Sequence, residues 1–293
     1  MDQVTNSTHF DELTSTQLDV LERQIAGKYM GKVPWGAVVW GLGNCAVFIA
    51  LFPLVLTGVL PIWAAFPIAT LNAILAYLPS HEAQHNIIAG KGKSLRWLNE
   101  LVGHVSVIPL AIPYRVLRAT HMEHHQFTNH PEKDCDIGTR AESSADFFRK
   151  ALMNRQPGST RDDAYAKCLE RTGQAHLLLD AVAMNSVYYV IMFAMAWNGY
   201  AIEMALLWWV PKIIGQTYLS YFLSWAPHHP GEEQGRYRDT RAFKSRLGNI
   251  MSMGMQFHII HHLYPRIPLS LTPAAYRELR PILAHRGCDL GGL

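Results

Sequence analysis

The sequence predicts an all-α membrane protein: four transmembrane helices in two hairpins, closed on one side by a helical cap that carries a histidine-rich site. Three observations predict it. Residues 35–79 contain no Lys, Arg, Asp or Glu; residues 177–224 contain only Asp180, Glu203 and Lys212; and the histidines at helical spacing fall outside both stretches. One crossing of the hydrocarbon core takes about 20 apolar residues, so each stretch holds two. Charged residues make up 17% of the 293, well below the roughly 25% of a soluble domain. The net charge of +3 comes from scattered basic residues and gives no footprint for nucleic acid.

The first thirty residues carry Asp2, Asp11, Glu12 and Glu22 and lack an apolar core, so the expectation is that no signal peptide is present and the first transmembrane helix directs insertion. The first apolar block divides at Thr57, Gly58 and Pro61, and the second at Asn198 and Gly199, where turn-forming residues interrupt the run. Two crossings per block leave the N-terminus, residues 80–176 and residues 225–293 on one side. Every Lys and Arg except Lys212 lies in those segments, which makes that side the cytoplasm by the positive-inside rule. We expect one domain over residues 1–293, with transmembrane regions at 35–79 and 177–224 and a cytoplasmic cap from 80–176 and 225–293. Both termini and the active site would then face the cytoplasm.

Smaller features follow the same frame. Residues 101–112 are apolar but span only half a bilayer, so they are expected to be interfacial, re-entrant or buried. Residues 145–153 put Phe147, Phe148, Ala151 and Leu152 on one helical face beside Arg149 and Lys150, which suits a helix on the membrane surface or one packed on the cap. The tail from Ser270, with Pro273 and Pro281, reads as a short piece of the cap. Cys45, Cys135, Cys168 and Cys288 form no CxxC and no metal-like spacing, so no disulfide framework is expected.

The chemistry lies in three clusters: HEAQH with His81 and His85, HMEHH with His121, His124 and His125, and HIIHH with His258, His261 and His262. Positions i, i+3 and i+4 share one helical face, so each cluster aims its imidazoles at one point. A lone histidine at such spacing is ordinarily a hydrogen-bonded core residue, and a single H-x3-H stays ambiguous. Eight histidines on one membrane side leave that reading little room. Imidazole suits zinc, copper, iron and nickel. Eight ligands exceed what one tetrahedral zinc can use and suit two metal ions that each keep a position open.

Residues 79–268 resemble the membrane fatty acid desaturases and their hydroxylase and ketolase relatives. Beyond the three boxes, QFTNHPEKDCD after the second is similar to the family's stretch of Thr/Asn, Pro and spaced aspartates, here Asp134 and Asp136. HHLYPRIP is similar to its HH-x-x-P-x-x-P ending, and APHHPG stands where the family supplies one more histidine, His228 or alternatively His229. His130 and Cys135 depart from the pattern, standing where many relatives have Asp and Pro. The resemblance implies two iron ions held by His81, His85, His121, His124, His125, His228, His258, His261 and His262, with O2 as co-substrate. It implies desaturation or hydroxylation of a long-chain lipid, with no catalytic side chain beyond the metal centre. A fatty acyl chain is the first expectation. A carotenoid ring is the alternative, because RYRDTRAF and the third box look closest to the carotenoid-modifying branch. Electrons would come from a separate ferredoxin or similar donor and its reductase. Glu82, Glu123, Asp134 and Asp136 are placed to hydrogen-bond the outer ring nitrogens or to balance charge.

Three other patterns in the sequence point elsewhere. HEAQH also matches the zinc metalloprotease motif H-E-x-x-H with Glu82 as general base, but a protease leaves the other two boxes idle. His229-Pro230-Gly231 is similar to a haem-binding cytochrome b5 motif, but it is followed by Glu232 and no small domain surrounds it. A transporter using Glu203 and Lys212 would need ligands near the bilayer midplane, and the histidines cluster at one end. His9, His104, His176 and His285 are expected to be structural or exposed.

Overall fold

The computed structural model describes residues 10–153 and 160–293; His9 lies outside the described residues. The described chain is helical. Its elements are α1 (Ser15–Gly27), α2 (Trp35–Leu56), α3 (Ile62–Leu75), α4 (Tyr77–Gln84), α5 (Arg96–Val105), α6 (Tyr114–Phe127) and α7 (Ser144–Met153). They continue with α8 (Thr160–Arg171), α9 (Leu178–Met195), α10 (Ala201–Met204), α11 (Val210–Leu219), α12 (Gly248–Met251), α13 (His258–Leu263) and α14 (Thr272–His285).

Three runs among the described residues are long and apolar enough to cross a membrane: Trp35–Leu56, Ile62–Gln84 and the 51-residue Ala175–Trp225. The last is not one rod. Gly199 breaks it with φ 92°, a left-handed value that glycine adopts without a Cβ clash. The rings of Tyr188 and Trp208 lie 4.9 Å apart, whereas 20 residues of straight helix would separate them by about 30 Å. The chain therefore turns back at Gly199, where the sequence places a turn. The first block reverses likewise: Gly58 has φ 78°, and Asn44 and Asn72 exchange hydrogen bonds of 2.6–2.9 Å across α2 and α3.

In lipid the hydrophobic effect does not drive helices together, so close packing and polar pairs must. Ala65, Ala69, Ala73 and Ala76 form a fully buried small-residue stripe on α3 and its continuation. On α11, a Cβ added at Gly215 would sit 3.0 Å from the backbone of Ala73, so a larger residue would push the two helices apart by a few tenths of an ångström. Lys212 lies with its ammonium 4.1 Å from the ring centre of Tyr188, inside the bundle.

Residues 101–112 lie at an elbow and are mostly buried, with Leu101 and His104 exposed. The run Arg96–Leu110 meets α6 at a bend of 99°, with Ala111 at φ 49°. Irregular backbone at membrane depth is tolerated only where protein satisfies it, and the bundle does so here. Trp208 Nε1 donates to the Pro109 carbonyl and Gln216 Nε2 to that of Leu110, both at 3.1 Å.

The cap has its own core, where α1, α13 and α14 bury Ile25, Ile259, Ile260, Leu279, Ile282 and Leu283 together. Buried Glu22 fastens it, accepting from the hydroxyls of Tyr264 and Tyr237 and from Arg286. On α7, Phe147 packs against Tyr221 and Trp225 and Phe148 stacks on Tyr221, while Leu152 and Met153 stay exposed, so the helix lies with one edge against the end of the Ala175–Trp225 run. All four cysteines are free and buried.

Candidate metal centre

Four segments bring the histidines together. His81 rides on α4, and His85 follows as its last, capping residue. The chain then leaves the helix at Asn86 with φ 55°, and Asn86 Oδ1 accepts from Arg118 on α6. Helix α6 presents His121, His124 and His125; α13 presents His258, His261 and His262; and His228 follows the end of the Ala175–Trp225 run. Gly231 lets this last loop close, because a Cβ there would lie 3.1 Å from Arg140 Nε.

The rings sort into two adjoining sets. In the first, ligand nitrogens of His81, His85, His121 and His261 all lie within 4.8 Å of one another. His125 joins them, with Nε2 3.2 Å from that of His121 and 2.9 Å from that of His261. In the second, His124, His228 and His262 lie within the same 4.8 Å limit, and His258 Nε2 is 3.1 Å from that of His228. His125 stacks on His262 at 4.2 Å where the sets meet. Nitrogens held about 2.1 Å from a common ion would stand about 3.0 Å apart at right angles and about 3.4 Å apart in a tetrahedron. The neighbouring Nε2 pairs measure 2.9–3.2 Å, close enough for neighbouring nitrogens to share one ion.

Protonation supports the same fit. Burial, then the neighbouring rings, holds His121, His125, His258, His261 and His262 well below the ordinary histidine value, and burial takes His228 down to about 3. His124 differs. Burial opposes its charge, but the Asp134 carboxylate at 2.8 Å overrides this and raises it to about 9. Asp134 is itself held by the backbone N–H groups of Asn129 and Asp136.

In the second set the outer nitrogens settle the tautomers. His228 Nδ1 lies 3.1 Å from the Asp239 carbonyl, which can only accept, so Nδ1 carries the proton. His258 Nδ1 meets the Met255 sulfur at 3.0 Å. His262 Nδ1 meets Thr128 Oγ1 at 3.4 Å, and that hydroxyl already donates to the His124 carbonyl. Each of these rings therefore turns an Nε2 lone pair inward, and the buried His262 Nε2 has no protein partner. A proton on His124 Nε2 supplies one donor, to His228; the other converging lone pairs have none. Converging neutral imidazoles are what a bound cation requires.

All nine histidines singled out by spacing and resemblance thus meet at one buried place. His228, not His229, is the one aimed inward; His229 packs its ring on Trp225 at 4.8 Å. Among the four acidic candidates only Asp134 reaches a histidine. Glu82 Oε1 accepts from Leu269 N at 2.6 Å, Glu123 pairs with Arg171 at 2.9 Å, and Asp136 accepts from Tyr165 at 2.9 Å. Helix geometry explains the first two: at about 100° per residue, Glu82 one place after His81 and Glu123 one place before His124 are turned off the direction of those rings. His104 packs on Tyr114, His285 pairs with Asp11 at 3.3 Å, and His176 is exposed, all outside the cluster. Sequence reasoning missed Thr128, Met255 and the Asp239 carbonyl. Thr128 alone carried a signal, lying one turn after His124.

A family model described as fatty acid desaturase matches residues 57–289. The chloroplastic sn-2 acyl-lipid omega-3 desaturase (ferredoxin) of Helianthus annuus is 21% identical over 239 residues, which is 71% of this chain and 53% of that protein. The chloroplastic omega-3 fatty acid desaturase of Ricinus communis is 22% identical over 292 residues, 86% of this chain and 61% of that protein. A Picosynechococcus sn-1 oleoyl-lipid 12-desaturase is 31% identical over 91 residues, 31% of this chain and 24% of its own. The chain spans little more than half the length of the Helianthus relative. The family match starts before the first histidine box and ends beyond the third, and the chain therefore belongs to the fatty acid desaturase family.

Proposed function

We propose that this chain is an O2-dependent oxidoreductase that desaturates a fatty acyl chain of a membrane lipid at a centre of two iron ions. The observation that carries the reading is the convergence of nine imidazoles in two sets, six of the histidines buried and His121, His125 and His262 half-buried. His81, His85, His121, His125 and His261 would hold one ion, and His124, His228, His258 and His262 the other. Bound iron would supply the power to activate O2 and remove hydrogen from an unactivated C–H bond. The chain's own part is to keep the imidazoles other than His124 neutral by burial and, in the second set, to fix the outer ring nitrogens. Electrons would arrive from a separate donor such as a ferredoxin and its reductase.

The same proposal covers topology: four crossings in two hairpins, with the turns at Gly58 and Gly199 on the far side and the centre at the cytoplasmic face. Two features support it. A 51-residue run is about 76 Å of helix, far more than one bilayer core. Exposed Trp63 and Trp197 lie near the two turns while exposed Trp35 and Trp97 lie at the histidine end, as membrane-interface belts require. A reporter fused after Lys93 or Gly287 is expected in the cytoplasm; either one found outside would overturn this topology.

The activity test is expression beside the His124→Ala variant in a host that makes β-carotene, with total lipids compared by mass spectrometry. Acyl chains lacking two hydrogens with the wild type alone are the expected result. Carotenoids gaining oxygen instead would replace this reading with a ring hydroxylase or ketolase.

A further inference from the structure

Residues 244–251 lie outside every crossing proposed above, yet they present bare apolar side chains. Leu247, Ile250 and Met251 are 55%, 91% and 51% exposed, although soluble surfaces seldom cluster aliphatic tips in this way. The loop is shaped from within. Ser245 Oγ accepts from Leu247 N, Gln256 Oε1 accepts from Ser245 N, and Gly248 takes φ 73° to begin α12. These contacts turn the polar backbone inward and the apolar tips outward.

The depth of the loop is fixed by one bond. The Tyr218 hydroxyl donates to the Met251 carbonyl, and Tyr218 belongs to the apolar run Ala175–Trp225. The tip therefore stands beside the last proposed crossing, about 10 Å along the helix from its end at Trp225. Exposed Lys244 and Arg246 lie at the loop's base, and no Asp or Glu occurs between Asp239 and Glu278. Apolar tips below a basic collar are the pattern of a segment inserted into an anionic lipid surface.

We propose that residues 244–251 insert into the cytoplasmic leaflet without crossing it, with Leu247, Ile250 and Met251 among the acyl chains and Lys244 and Arg246 at anionic lipid phosphates. The loop leads straight to the third histidine box: buried Met253 and Met255 follow it, and the Met255 sulfur touches His258. The same segment thus joins the lipid surface to the metal centre. This inference rests on the membrane topology proposed above.

The test uses the full chain in lipid vesicles with an environment-sensitive fluorophore on Ile250→Cys; the four native cysteines are buried and serve as an unlabelled background. A second variant, Phe193→Cys on α9, reports the crossing itself. The expected result is that lipids brominated near the headgroup end of the acyl chain quench the probe at 250 strongly while aqueous iodide does not. Quenching should deepen in vesicles containing phosphatidylglycerol compared with phosphatidylcholine alone, and Lys244→Gln with Arg246→Gln should abolish that difference. If iodide reaches position 250 while brominated lipid reaches only position 193, the loop is in water and the inference falls with the topology intact. If iodide reaches both, the topology falls and takes the inference with it. Equal depth in the two vesicle types would overturn the role of the basic collar.

Discussion

In one half of the histidine cluster every outer ring nitrogen is anchored, whereas in the other half two buried nitrogens meet nothing. His124, His228, His258 and His262 rest on Asp134, the Asp239 carbonyl, Met255 and Thr128. In the other set, His81 and His261 each bury an Nδ1 without a partner. The first four rings are held by polar contacts that fix the tautomer as well as the position. The second group is positioned by packing of α4, α6 and α13. Outer hydrogen bonds raise ligand basicity and hold the ring in place, so the two halves should bind metal unequally, the anchored half more tightly.

Removing a ligand gives the largest expected effect. His124→Ala and His261→Ala should each abolish desaturation in the lipid assay and lower bound iron by elemental analysis. Full activity in either variant would break the site assignment. A ferrous chelator should then strip the wild type in two phases, and His261→Ala should lack the faster one; a single phase would mean the halves are alike. Asp134→Asn keeps the shape but removes the charge behind His124, and should weaken iron binding about 10–100-fold. Glu82→Gln retains the oxygen that accepts from Leu269 N, so iron content and activity should stay near wild type, whereas a protease would lose all activity. The smallest effect is expected in the bundle. Asn72→Leu removes the donor to the Asn44 carbonyl and Oδ1 while leaving the bond from Asn44 Nδ2 to the residue-72 carbonyl, and should lower stability by about 0.6–2 kcal/mol in an unfolding titration.

The charge-poor blocks and the turns at Gly58 and Gly199 were legible because hydropathy and turn chemistry are local properties. The histidine boxes were legible because i, i+3, i+4 spacing survives into three dimensions as one face. The choice between His228 and His229 was not, since adjacent residues share every local signal and only the fold of the loop aims one inward. Glu82 and Glu123 misled for a related reason: nearness in sequence to a ligand is not nearness around a helix. Asp134 could be singled out only by its backbone contacts, which depend on how residues 128–136 turn back on α6. The anchoring of His258 by Met255 had no sequence signal, because a methionine beside an apolar run reads as core.

The most direct test of two converging imidazole sets is the metal content of the purified wild-type chain, measured by elemental analysis with Mössbauer spectroscopy and repeated on His124→Ala. The account predicts two iron ions per wild-type chain, magnetically coupled to each other, and loss of that coupling in the variant. A single zinc ion per chain, or iron content unchanged by His124→Ala, would contradict it.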